Sequence, residues 1–195
     1  MKRGCMRKII TTTWVTLDGF IAGPNGEMDW VRVEEEMGKY EDDLISSADT
    51  LLLGRVTYQS FAGAWPYVPD NPSASEGEKI YARKLNAMRK VVFSRSLEKA
   101  EWNNSTLFRE INPQEVAQLK EAPGKNIVIY GSASIVQALT NHGLIDEYQV
   151  LVHPVVLGGG KPLFKNIQDR VGLKLVETKA FPSGVVGLYY RPDRQ

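Results

Sequence analysis

Twice in this chain a short apolar run is cut by glycine and gives way at once to a helical period. The first is Thr50-Leu51-Leu52-Leu53-Gly54-Arg55-Val56-Thr57-Tyr58; the second is Asn126 to Tyr130 followed by Gly131-Ser132-Ala133-Ser134-Ile135. A short apolar run bounded by a turn signal reads as a buried strand. A strand that hands over directly to a helix belongs to a parallel sheet, where only a crossover can bring the chain back to the same end. The remaining segments extend this alternation. Lys8 to Val15 is dense in β-branched and aromatic residues, a strand pattern. Glu34 to Ser47 carries Met37, Tyr40, Leu44 and Ile45 at helical spacing with acids between them. Strands follow at Lys90–Ser94, Ser105–Arg109 and Glu147–Val152, with a helix opening at Asn112-Pro113, where a capping side chain precedes a first-position proline. Leu173–Phe181 and Val185–Arg191 form a hairpin turned at Pro182-Ser183-Gly184. The pattern predicts an α/β fold: a mixed, mostly parallel central sheet, helices on both faces and an antiparallel C-terminal hairpin.

No repeat, low-complexity tract or linker divides the 195 residues, so residues 7–195 read as one domain behind a short tail, residues 1–6. The stretch 64–77, with Pro66, Pro69 and Pro72, reads as a long surface loop of the kind that borders sites. The formal net charge is +1 with both signs scattered, which argues against a nucleic-acid partner. A single cysteine, Cys5, excludes an internal disulfide and suits a reducing cytoplasm. His142 and His153 lack companions at ligand spacing, so no metal site is expected. No apolar run approaches a membrane span.

Three turns carry candidate chemistry. At Gly54-Arg55-Val56-Thr57 a helix opens with unpaired N–H groups beside a guanidinium and a hydroxyl, a setting that suits phosphate. Equally, Gly54 makes a tight turn and Arg55 is solvated. At Gly131-Ser132-Ala133-Ser134 only small residues stand where a pyrophosphate would approach, although an ordinary serine N-cap has the same form. Gly158-Gly159-Gly160-Lys161-Pro162 lacks the hydroxyl residue and the spacing of a nucleotide-triphosphate loop, and reads as a turn whose glycines let backbone come close to a ligand.

In order and over Arg7 to Arg191, these pieces resemble the dihydrofolate reductase-like superfamily, and especially the C-terminal reductase domain of the bifunctional riboflavin-biosynthesis enzyme. The residues that carry the resemblance are Leu17-Asp18-Gly19-Phe20-Ile21-Ala22 with Asp29-Trp30, Leu53 to Tyr58, Lys90 to Arg95, Ile129 to Ser132, and His153 to Gly160. The resemblance implies a homodimeric oxidoreductase that uses NADPH to reduce a small-molecule substrate. It places the cofactor against Gly54, Arg55 and Thr57, against Ser94 and Arg95, and along Gly131, Ser132, Ala133 and Ser134. Ile21 and Ala22 would touch the nicotinamide, in a loop acting as a lid.

The substrate side follows the resemblance less closely. A folate-type carboxylate falls on Glu35, five residues after Trp30, while its threonine partner falls near Val152, which cannot make that bond. The aspartate–proline loop of the riboflavin-type reductase is replaced by Gly54 to Ser60. The expected substrate is therefore a small heterocycle or carbonyl compound, pterin-like or riboflavin-precursor-like. The proton is expected from water or from a carboxylate such as Glu35 or Asp29, and Trp30, Tyr58 and Trp65 serve as cavity walls or as plain core aromatics. The alternatives are a non-catalytic nucleotide-binding relative, or an assembly module whose homodimer is built on strands near Glu147 to His153.

Overall fold

The computed structural model describes residues 6–193, so Cys5 and all of the expected tail except Met6 lie outside the described residues. Along the chain run β1 (Ile9–Thr16), β2 (Phe20–Ala22), α1 (Glu35–Ser46), β3 (Ala48–Gly54) and α2 (Arg55–Ala62). A 3-10 turn (Trp65–Asp70) leads to α3 (Glu76–Ala87), β4 (Arg89–Phe93), β5 (Ser105–Phe108), α4 (Pro113–Glu121), β6 (Asn126–Tyr130) and α5 (Ala133–Asn141). The chain closes with β7 (Glu147–His153), β8 (Lys161–Pro162), β9 (Leu173–Ala180) and β10 (Val186–Pro192).

Eight strands form one sheet in the order β5-β4-β3-β6-β1-β7-β10-β9. The first six are mutually parallel, and the C-terminal hairpin adds two antiparallel strands. Because strand side chains alternate between faces, each central strand feeds two cores. Leu52, Val91, Ile127 and Ile129 pack with Val116 of α4 and Ile135 and Leu139 of α5. Leu51, Leu53, Val92 and Val128 pack on the other face with Leu44 of α1, Tyr58 of α2 and Leu85 of α3. At the N-terminal end of the strands the buried Arg7 ties three strands together, donating to Lys125 O at 2.5 Å and Thr50 Oγ1 at 2.7 Å and pairing with Asp49.

Three expectations change. The 64–77 segment is not an open loop: Trp65–Asp70 coils into a 3-10 turn, and Ser75 with Glu78 forms a reciprocal capping box that starts α3 at Glu76, inside the stretch read as loop. The loop after β1 contains a strand, since β2 pairs with β8 in a separate two-stranded ribbon. Finally, β7 is paired on both sides, by β1 and β10, so it has no free edge. The free edges of the main sheet are β5 and β9.

Candidate active site

The strand order reverses direction beside β3 and β6. From β3 the chain leaves through α2 toward β4, and from β6 it leaves through α5 toward β7, on the opposite face. Such a switch opens a crevice at the C-terminal strand ends, where open α/β sheets hold ligands. A cavity of about 1840 Å³ lies there.

Its floor is made by the two glycine turns. Neither α2 nor α5 has a side-chain cap at its N-terminus, so unpaired N–H groups of both helices face the cavity end. Gly131 and Ser132 are both left-handed, with φ +49° and +46°, which turns the backbone tightly into α5. Ser132 Oγ joins the two turns: it accepts the Gly54 N–H at 3.0 Å and donates to Thr57 Oγ1 at 2.9 Å. A Cβ added to Gly54 would point at Ser132 Oγ and Ser134 Oγ, 3.6 Å from each, so glycine leaves a cradle there open. Arg55 is exposed at the cavity wall, hydrogen-bonded to Gln59 at 3.1 Å, and Ser94, Arg95 and Ser96 line the cavity after β4. Two helix termini with partial positive charge, an open glycine cradle and two guanidiniums fit a dinucleotide phosphate.

Ile21 and Ala22 also line the cavity. Their loop is clasped rather than free. Thr16 Oγ1 donates to Asp18, whose carboxylate accepts the N–H of Leu157 at 3.2 Å and of Gly158 at 2.7 Å. Those bonds hold the Asp18 carboxyl below its ordinary value, the Thr16 hydroxyl first among them. Within the glycine run 158–160, Gly160 lets the backbone come close to the Ala22 carbonyl of β2, where a Cβ would collide, while Gly158 and Gly159 meet nothing within 4 Å.

Farther along the cavity lies an aromatic box of Trp14, Phe61, Trp65, Tyr81 and Tyr130. A single buried carboxylate, Glu41, stands among these rings. It accepts Trp14 Nε1 at 3.2 Å, Tyr130 Oη at 2.5 Å and Tyr81 Oη at 3.4 Å. Burial pushes its carboxyl up against the pull of those donors. The expected acids are placed differently. Glu35 is on the cavity rim, fully exposed and paired with Lys39 at 2.7 Å, which holds it low and ionised. Asp29 sits in an exposed turn and does not line the cavity. Of the expected aromatic walls, Trp65 lines the cavity, whereas Tyr58 is 3% exposed in the core, with its hydroxyl accepting the Trp102 N–H at 2.9 Å. Trp30 packs edge-on against the buried His153, ring centroids 5.2 Å apart, outside the cavity lining.

The matching of the sequence to known families agrees with this layout: residues 7–187 match the RibD C-terminal domain. The chain belongs to the RibD C-terminal domain family. It is 40% identical to the uncharacterized protein YyaP of Bacillus subtilis (strain 168) over 185 residues, covering 94% of each chain. Among solved structures it resembles a putative riboflavin biosynthesis protein from Shewanella sp. PV-4, with a TM-score of 0.73 at 22% identity over 96% of this chain and 99% of that one. It also superposes on the dihydrofolate reductase of Enterococcus faecalis complexed with NADP(H), with a TM-score of 0.62 at 14% identity over 96% and 97% of the two chains. The fold is thus dihydrofolate reductase-like.

Within this family frame, the residue that sequence reasoning missed is Glu41. Its signal was present. It falls four residues after Met37 and four before Ile45, on the stripe that α1 buries, whereas an acid of the solvated face would fall between them. Among the described residues no cluster of potential metal ligands occurs, and no helix is long and apolar enough to cross a membrane.

Proposed function

We propose that this protein is an NADPH-dependent reductase that transfers hydride to a small planar heterocycle or carbonyl compound. The observation that carries the reading is the convergence of two uncapped helix N-termini on an open glycine cradle, in the same cavity as an aromatic box with a buried carboxylate. The apolar mouth supports it: Met28, Val33, Val56 and Ile80 are exposed large apolar side chains, and all four line this cavity. Unpartnered apolar surface gathered around one opening is what a binding cleft displays.

In this reading the N–H groups opening α5 and the Ser132–Thr57 pair take the pyrophosphate, and Arg55 takes the 2′-phosphate. Ser94 and Arg95 flank the adenosine, and Ile21 and Ala22 border the nicotinamide. When bound, the dihydronicotinamide supplies the hydride. The chain's own part is to orient both partners, exclude water and hold a proton.

Titration with NADPH and NADH, followed by nicotinamide fluorescence, tests this directly. NADPH binds more tightly than NADH, and Arg55→Ala removes most of that preference. The loss of one charge-assisted contact is worth about 1.5–3 kcal/mol, roughly ten- to a hundredfold. An unchanged preference in Arg55→Ala moves the 2′-phosphate elsewhere. No binding of either nucleotide below about 1 mM, near 4 kcal/mol, ends the reductase reading. The same proposal includes a homodimer, whose available sheet edge is β9 with Leu173, Leu175 and Val176 exposed along it. Native mass spectrometry gives a twice-chain mass if so, and a single-chain mass at tens of micromolar removes it.

A further inference from the structure

The Glu41 site contains more than one acid. Glu41 of α1, Tyr130 at the end of β6 and Tyr81 of α3 form a line of oxygens. Glu41 Oε2 lies 2.5 Å from Tyr130 Oη, and Tyr130 Oη lies 3.0 Å from Tyr81 Oη. Glu41 and Tyr130 are each 8% exposed, while Tyr81 is only half-buried. All three line the cavity, with Tyr81 the member most open to it and its ring packed 5.1 Å from Trp65.

Hydrogen-bond bookkeeping gives this line two states. With Glu41 ionised, both phenols point inward: Tyr130 donates to the carboxylate, Tyr81 donates over the shorter 3.0 Å contact to Tyr130 while lying 3.4 Å from the same Glu41 oxygen, and Trp14 Nε1 satisfies the other oxygen. With Glu41 protonated on Oε2, the acid can donate the shared 2.5 Å contact. Tyr130 then donates to Tyr81, and the Tyr81 proton is released toward the cavity. Protonating the buried end thus lets both bonds of the line reverse and present a donor at the open end.

We propose that Tyr81 is the proton donor of the reaction and that Glu41, acting through Tyr130, is its reservoir. The proposal rests on the reductase reading above. As hydride adds to the carbon of a C=O or C=N bond, the heteroatom takes the Tyr81 hydroxyl proton. Tyr81 is refilled from Tyr130, and Tyr130 from the Glu41 carboxyl. Glu41 is left as carboxylate and regains one proton from solvent, so each turnover consumes one hydride and one proton.

The groups around the line permit this cycle. Trp14 of β1 donates to Glu41; Tyr40 beside it on α1 and Tyr189 of β10 both feel its charge and are held protonated, chiefly by burial. Asp42 is occupied by Lys84 at 2.7 Å. Among the described residues no cation is ion-paired with Glu41, so only the hydrogen bonds from Tyr130, Trp14 and Tyr81 favour its carboxylate form. Burial raises its carboxyl above the ordinary range, which keeps the proton available at higher pH.

The test uses the full chain loaded with NADPH, with phenanthrenequinone as the C=O probe and dihydrobiopterin as the C=N probe. Tyr81→Phe and Tyr130→Phe lower the single-turnover rate on the reduced probe by about a hundredfold, a general-acid contribution. NADPH affinity stays within about twofold, since the nucleotide turns are untouched. Glu41→Gln does the same and removes the alkaline limb of the rate profile. Independently of turnover, infrared difference spectra of the wild-type protein show a protonated-carboxyl band that bleaches as pH rises; it is absent in Glu41→Gln and bleaches at higher pH in Tyr130→Phe. Tyr81→Phe turning over at the wild-type rate overturns the proposal. So does a wild-type protein that binds NADPH and reduces neither probe, or an unchanged infrared band in Glu41→Gln. Failure of NADPH to bind, with the infrared band present, strikes the underlying reductase reading instead.

Discussion

Gly160→Ala is expected to be among the most damaging single-methyl additions in this protein, costing about 2–5 kcal/mol, while the same change one residue earlier costs almost nothing. At Gly160 the new Cβ lands on the Ala22 carbonyl oxygen, well inside contact distance, and lies 3.3 Å from the Phe20 ring. The obstacle is backbone, which cannot rotate away. With φ at +155° the residue also sits where L side chains are rarely found. Overpacking and backbone strain each cost about 1–3 kcal/mol. At Gly159 a Cβ meets nothing within 4 Å, and at Gly158 it also meets nothing but must adopt φ +71°. The three alanine variants therefore rank Gly160, then Gly158 at about 1–2 kcal/mol, then Gly159 near zero. Urea unfolding of the three checks the order. Because Gly160 seats the ribbon that carries Ile21 and Ala22 into the cavity, Gly160→Ala also weakens the proposed NADPH binding at least tenfold. A Gly160→Ala protein as stable as Gly159→Ala contradicts the close approach itself.

That example shows how far the sequence could be read. Three adjacent glycines signal a turn that needs freedom, but their different tasks are set by Ala22, far away in the chain. The strand–glycine–helix turns were legible because their signal is local: an apolar run, a glycine, a helical period. The Asn112-Pro113 helix start was legible for the same reason, and Asn112 does cap Gln114. The β2–β8 ribbon was not, since strands of three and two residues are too short to show alternation. The start of α3 was legible but passed over: Ser75-Glu76-Gly77-Glu78 is a capping-box spelling hidden behind a proline-rich stretch. At the site, the cofactor side follows from local turns, whereas the Glu41 line joins α1, α3 and β6 across up to 89 residues. A one-residue excess of acid on an apolar stripe was its only trace, whereas Glu35 stood where the folate-type resemblance puts a carboxylate, five residues after Trp30.

Stability should fall steeply in mild acid because of His153, which drew no role in the sequence. Its side chain is 0% exposed, between the rings of Trp30 at 5.2 Å and Trp14 at 6.0 Å. Nδ1 accepts the Arg32 backbone N–H at 3.3 Å, so the neutral ring carries its hydrogen on Nε2, which has no partner among the described residues. A second proton would have to go on Nδ1, where it would face that N–H. Burial first, then the nearby Arg32 charge, pushes the imidazole down to about 4, from an ordinary 6.5. Since the folded value is the lower one, the unfolded chain binds more protons between those two values, and unfolding is favoured as pH falls through that window. The contribution is intact above about pH 6.5 and declines toward pH 4, reaching about 3 kcal/mol at one unit per 1.36 kcal/mol. Urea midpoints at pH 7.5 and pH 4.5 for the wild type and His153→Asn isolate it, because the asparagine oxygen can still accept from Arg32 yet cannot titrate. The variant starts less stable at pH 7.5 but loses about 2–3 kcal/mol less on acidification. Equal acid slopes in the two proteins assign the loss to carboxylates elsewhere. Trp14 links this pocket to the cavity, touching His153 on one side and holding Glu41 through Nε1 on the other. Charging His153 therefore disturbs the wall on which the proton line rests, and nucleotide-loaded turnover should fail in acid at or before the point where the fold does.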